Sequence, residues 1–331
     1  MRNVNEEMKK WLTTATIVLG AICLCACSTT KKQAENQPVV KIEFDADSAY
    51  TFCAAQCGFG PRTMNSEAHE RCGQWIVQQF QRFGYLVEQQ HADLKGYDGT
   101  ILKSTNIIAR NKKQADSRLL ICAHWDARPW ADNDPDSTNW HKPVMAANDG
   151  ASGVAVMLEL ARQLQQHDSA RIAVDFICFD AEDWGVPQWS DEVDGDSWAL
   201  GAQYWATKYT GKEYQYAILL DMVGGQGAKF YQEAFSMQYA RSIVEKVWSA
   251  ASAAGYGSFF PAMDGGGVTD DHLPVNEKAH IPCIDIINHY PDCQQSSFGP
   301  TWHTVNDDMQ HIDKNTLKAV GQTLTQLIFT E

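Results

Sequence analysis

Basic residues are scarce in this chain. Its 27 lysines and arginines face 41 aspartates and glutamates, a formal charge of −14, and no cationic cluster stands out in its body. Nucleic acid is excluded as a partner on that ground, because such binders displace phosphate counterions with a cationic face. Two catalytic signatures are also missing. No Gly-x-Ser-x-Gly elbow occurs, which argues against a serine hydrolase. No Cys-x-x-Cys spacing occurs, which argues against a cysteine zinc site, and the cysteines lack the helix-start setting of a thiol nucleophile. There is no internal repeat and no linker-like break after residue 45, so one domain is expected from 331 residues.

What is present is an ordinary globular composition, 44% hydrophobic and 21% charged, enough for a sizeable core. The first residues read differently. Arg2, Lys9 and Lys10 precede an apolar run from Trp11 to Leu24, which ends at Leu24-Cys25-Ala26-Cys27 before the polar Ser28 to Lys32. That is the form of an export signal. Its last four residues resemble a bacterial lipobox, so residues 1–26 are expected to be a lipoprotein signal peptide. Cys27 would then be the lipidated first residue of the mature chain, residues 27–40 a polar tether, and 41–331 the folded domain. The expected location is the periplasmic side of a bacterial membrane, held by the lipid anchor. An ordinary signal peptide or an uncleaved anchor is the alternative. Seven of the ten cysteines lie beyond Cys27. Cys122 and Cys178 sit in apolar runs and are expected as buried thiols, while Cys53, Cys57, Cys72 and the Cys283–Cys293 pair are disulfide candidates.

The body alternates between two periodicities. Ser66 to Phe83 carries Cys72, Trp75, Ile76, Phe80 and Phe83 at helical spacing, with Ser66 as N-cap and Gly84 as stop. Short apolar runs predict strands at Tyr85–Glu88, Asn106–Ala109, Leu119–Cys122, Ile172–Phe179, Ala217–Leu220 and Cys283–Ile287. Helical patterns follow several of them, at Ser152–Gln166, Ser197–Lys208, Phe235–Ala254 and Lys314–Phe329. Alternating strands and helices of that length predict an α/β fold: a central twisted mixed sheet, largely parallel, with helices on both faces. Two long stretches, Trp125–Ala147 and Trp184–Asp196, have no regular pattern and are rich in tryptophan, which argues against idle surface loops.

Acids and imidazoles collect where the strands end. His124 and Asp126 close one strand and project the same way. Asp149 lies among small residues just before a helix, in Asn148-Asp149-Gly150-Ala151-Ser152-Gly153. Asp180, Glu182 and Asp183 follow another strand, Asp221 ends a further one, and His303 lies in Trp302-His303-Thr304. In the Glu182-Asp183 pair the side chains diverge, so one acid can ligate an ion while the other carries a proton. Singly, a strand-end aspartate is more often a turn or cap residue. Together they form a ligand set of carboxylate and imidazole without thiolate, which fits zinc with an open coordination position.

These motifs, with Asp270-Asp271-His272 and the upstream Gly60-Pro61-Arg62 and Ala68-His69, resemble the zinc-dependent glutaminyl cyclases of the animal type, which also occur in bacteria. The likeness runs from Phe59 to Phe329, and that family is built on the fold of the di-zinc aminopeptidases. It implies cyclisation of the N-terminal glutamine of peptides and exported proteins to pyroglutamate, with release of ammonia. It implies one zinc per chain, with ligands at Asp149, Asp183 and His303, a proton carrier at Glu182 and supporting acids at Asp221 and Asp270. It further implies substrate-pocket residues at Trp189, Val268, Phe298 and Trp302. Two positions depart from animal members. They pair two glutamates where this chain has Glu182-Asp183, and they carry a histidine where it has Asp285. A di-zinc aminopeptidase is the competing expectation, because His124, Asp149 and Asp221 stand where that fold holds its second metal. A non-catalytic lipoprotein that binds a peptide or sugar offers no reason for the acid pair.

Overall fold

The structure is a computed structural model and describes residues 39–115, 118–192 and 196–331. The signal peptide, Cys27 and nearly all of the tether lie outside the described residues. Among these residues there are seven α-helices and six strands in one mixed sheet. No described helix is long and apolar enough to cross a membrane.

Helices α1 (Ala46–Cys57) and α2 (Glu67–Arg82) come first. Asp45 caps α1 by accepting from the N–H groups of Asp47 and Ser48, and Ser66 caps α2 by accepting from His69. Strands β1 (Leu86–Lys95) and β2 (Ile101–Arg110) form a hairpin that pairs Leu86 with Arg110 and Lys95 with Ile101. Both strands are longer than the apolar runs suggested. Strand β1 is the sheet edge and bears Glu88, Gln90 and Lys95, so hydrophobicity alone under-reads it.

The remaining elements are β3 (Arg118–His124), α3 (Ala151–Gln166), β4 (Ala173–Phe179), α4 (Leu200–Lys208), β5 (Tyr214–Asp221), α5 (Ala234–Ala253), α6 (His272–Glu277), β6 (Cys283–Ile287) and α7 (Lys314–Thr330). Sheet order is β1-β2-β4-β3-β5-β6. The pairs β4–β3, β3–β5 and β5–β6 are parallel, whereas β1–β2 and β2–β4 are antiparallel. The largely parallel mixed sheet predicted from the alternating pattern is therefore what forms.

Alternation along the strands divides the core in two. Leu119, Ile121, Val174, Phe176, Ile218, Leu220, Ile284 and Ile286 face α1, α2, α3, α5 and α7. Leu120, Cys122, Ile177, Phe179, Leu219 and Cys283 face α4 and α6. Burial on both faces explains why these strands read as continuous apolar runs. All seven cysteines among the described residues are free, so none of the candidate disulfides forms. Cys122 and Cys178 are fully buried.

From β3 the chain crosses to β4 on one side and later places β5 on the other. The carboxyl ends of β4, β3 and β5 thus open a crevice at the point where winding reverses, the usual ligand position in an open α/β sheet.

Candidate metal centre

Three strands deliver acid and imidazole to that crevice. His124 is the last residue of β3, Asp180 to Asp183 directly follow β4, and Asp221 ends β5. Asp149 enters from the turn ahead of α3. There Gly150 adopts φ +101°, and a Cβ on it would lie 2.8 Å from the Asp126 carbonyl oxygen and 3.0 Å from His124 Cε1. Only glycine lets the turn come this close. The Asp307 carboxylate accepts from the N–H groups of Asn148 (2.7 Å) and Asp149 (3.0 Å), fixing the turn from the other side.

Asp149 stands between two imidazoles. Its Oδ1 is 3.0 Å from His124 Nε2, and its Oδ2 is 3.5 Å from His303 Nε2. His303 Nε2 is also 3.3 Å from Asp183 Oδ1, while His124 Nε2 is 3.3 Å from Asp221 Oδ1. Two triads result, Asp149–Asp183–His303 and His124–Asp149–Asp221, sharing Asp149. Ligand atoms around a tetrahedral zinc with bonds of about 2.0 Å lie roughly 3.3 Å apart, so both spacings fit a metal. Asp183 Oδ2 is buried without a hydrogen-bond partner, which suits an atom that binds a cation.

The electrostatics agree. Burial pushes Glu182 well above the usual carboxylate range, reinforced by Asp183, Asp270 and Asp271. Burial likewise raises Asp183 against the pull of His303, takes Asp221 up to about 6 and takes Asp270 up to about 7 with help from Asp221. Asp149 goes the other way, because His124, His303 and Arg128 together outweigh its burial. So many acids crowded out of water and repelling one another call for a cation.

Backbone strain marks the same place. Ala181, Met222 and His303 adopt left-handed conformations, with φ of 54°, 48° and 52°. Each costs of order 1 kcal/mol or more for a residue with a side chain, and all three adjoin or belong to the acid and imidazole set. Asp126 stabilises one of these turns. Its Oδ1 accepts from the N–H of Glu182 and its Oδ2 from that of Asp183, both at 3.1 Å.

Beside the triads lies a cavity of about 220 Å³. Asp149, Glu182, Asp221 and Asp270 line its polar side, and Val268, Phe298, Trp302 and Trp198 are among its apolar walls. Three of the four pocket residues expected from the resemblance are there. Trp189 is not among the lining residues; it packs on Trp130, Trp140 and His141, and Trp198 forms the wall instead. Trp189 sits in the loop after β4, where sequence cannot say which tryptophan turns inward. Asp270 comes beside Asp221, yet its Oδ2 has no hydrogen-bond partner. Asp285 is buried behind it, with Asp270 and His272 close enough for all three to share an ion, and both its carboxylate oxygens lack a hydrogen-bond partner.

The family model of peptidase family M28 matches residues 106–328, from β2 to the last turn of α7. The chain belongs to this family. Among solved structures, the M28 chain superposes on the glutaminyl cyclase of Bacteroides thetaiotaomicron bound to N-acetylhistamine, with TM-score 0.85 and 47% identity, covering 88% of this chain and 99% of that one. A leucine aminopeptidase precursor from the same species gives TM-score 0.84 and 46% identity, covering 89% and 100%. Among curated relatives, Bacillus subtilis aminopeptidase YwaD is 28% identical over 74% of this chain and 48% of its own. Glutaminyl-peptide cyclotransferase of Gloydius blomhoffii is 26% identical over 66% of this chain and 63% of its own. The M28 chain thus spans from just under half to just under two thirds of the length of these two relatives.

Proposed function

We propose that this M28 chain is a zinc-dependent glutaminyl-peptide cyclotransferase, converting the N-terminal glutamine of peptides and exported proteins to pyroglutamate and ammonia. The observation that carries the reading is the small, half-apolar cavity that holds Glu182, Asp221 and Asp270 against Asp149. It suits one folded glutamine side chain, and the solved glutaminyl cyclase supports the same use.

One zinc, held by Asp149, Asp183 and His303, would supply Lewis acidity toward the γ-carboxamide oxygen. The chain's own residues do the rest. Val268, Phe298, Trp302 and Trp198 exclude water and bend the side chain so that its α-nitrogen meets its own amide carbon. Positioning of that kind contributes up to roughly 7–11 kcal/mol in well-oriented intramolecular reactions. The α-ammonium first loses one proton to solvent; as the free amine attacks, Glu182 takes a second proton from it and returns that proton to the departing nitrogen, which leaves as ammonia. Asp221 and Asp270 face that nitrogen as hydrogen-bond acceptors.

The second reading is a two-metal aminopeptidase, favoured by the His124–Asp149–Asp221 triad and the aminopeptidase relative. There Glu182 would activate a water and Asp221 would be a ligand. Metal analysis combined with ammonia release separates the two. The cyclase reading expects one tightly held zinc per chain and chelator-sensitive ammonia release from a Gln-initiated peptide. Two tightly held zincs and no ammonia would overturn it. The lipid anchor at Cys27 and a periplasmic location belong to the same proposal and are tested by metabolic labelling with a fatty-acid analogue, which Cys27→Ala should abolish.

A further inference from the structure

Arg128 is a fully buried guanidinium whose every polar atom is used. Nε and Nη2 donate to the two oxygens of Asp132, at 2.9 and 2.7 Å. Nη1 donates to the backbone carbonyls of Asp183 and Gly185, both at 3.2 Å, and stands 3.4 Å from Asp183 Oδ1. Asp132 Oδ1 in turn lies 3.4 Å from Nδ1 of His303. One side chain therefore touches the ligand carboxylate of Asp183 directly and the His303 imidazole through one carboxylate.

Its flat faces are used too. The guanidinium carbon is 4.6 Å from the ring centre of Trp198 and 5.3 Å from that of Trp130. Trp198 lines the cavity and runs parallel to His303, with ring centres 6.0 Å apart and planes 11° apart. Its indole rests on Gly185, where a Cβ would fall 1.9 Å from Trp198 Cε2, so no other residue admits this stack.

We infer that Arg128 is a positioning residue for the metal centre: its fork and its faces lock Asp183, His303 (through Asp132) and the Trp198 wall into one unit. This rests on the zinc reading above. No other lysine or arginine pairs with these acids among the described residues, so Arg128 also offsets part of their charge. Two effects oppose each other when zinc binds. A fixed positive charge near the ligands repels the ion, but ligands held in place need no reorganisation. Outer partners of zinc ligands commonly contribute roughly 10–100-fold in affinity, so preorganisation wins. Lysine keeps the charge but can neither fork nor stack, and should not substitute.

The test is zinc affinity of metal-free protein, titrated against a chromophoric chelator, for wild type, Arg128→Lys and Arg128→Ala. Near-ultraviolet circular dichroism of the metal-free forms checks folding. Both variants should bind zinc roughly 10–100-fold more weakly, and methylguanidinium should restore part of the loss in Arg128→Ala but not in Arg128→Lys. If Arg128→Ala fails to fold, Arg128→Lys decides alone. Wild-type affinity in a folded Arg128→Lys overturns the inference while leaving the zinc reading intact. A wild-type protein that binds no zinc overturns both.

Discussion

The carboxylate of Asp126 at the end of one strand holds the backbone of Glu182 at the end of its neighbour. Its second oxygen holds the next residue, Asp183, so the proposed proton carrier and a proposed metal ligand hang from one buried side chain. Parallel register puts His124 opposite Phe179, which is why two strand ends can be clasped in this way. Replacing Asp126 by alanine leaves two buried N–H groups without acceptors. The expected cost is about 2–4 kcal/mol in urea unfolding, together with a large fall in kcat. Unchanged stability would mean that the turn holds itself.

Glu182 and Asp183 are adjacent, and the proposed function gives them separate tasks. Glu182→Gln should cut ammonia release by roughly 10²–10⁴ while zinc stays bound. Asp183→Ala should lose the zinc. Metal content after dialysis, measured beside activity, checks both, and loss of metal from Glu182→Gln would exchange the two roles.

Trp198 forms the cavity wall where the family resemblance implied Trp189. Trp198→Ala removes apolar contact with the substrate of about 1–2 kcal/mol, which raises KM for a Gln-initiated dipeptide by roughly 5–30-fold. The same change at Trp189 should have the smaller effect. Steady-state kinetics on the two variants ranks them.

A pH effect on stability is expected at the cap of α5. Glu233 caps α5, accepting from Phe235 (2.9 Å) and Ser236 (2.5 Å), and also from Val268 (3.0 Å), with His272 Nε2 at 3.3 Å. Burial opposes its charge, but His272 and these N–H groups win and bring it down to about 2. The folded value is below the unfolded one, so its contribution is complete above about 4.5 and is lost as pH falls toward 2. Glu233→Gln should cost about 2 kcal/mol at pH 6 and progressively less toward pH 3, read from urea midpoints.

Much of this arrangement was legible in the chain itself. Apolar runs that end in acids or imidazole marked β3, β4 and β5, and parallel pairing brings such ends to one rim, so Asp149, Asp183, His303, Glu182 and Asp221 could be nominated together, whereas Asp270 came only with the resemblance to the glutaminyl cyclases. What escaped depends on contacts across long separations. Arg128 meets Asp183 and Gly185 from 55 and 57 positions away, and the turn of Trp198 rather than Trp189 toward the cavity is set by that stack. Helix α1 escaped because its apolar residues form no clear stripe; Asp45 was its one signal. The outer hairpin was underestimated because an edge strand stays polar.

The most direct test is to incubate the purified protein with a peptide that begins with glutamine and weigh the products. The cyclase account predicts a full-length peptide lighter by one ammonia, formed with zinc and not with chelator. Free glutamine and a peptide shortened by one residue would contradict it.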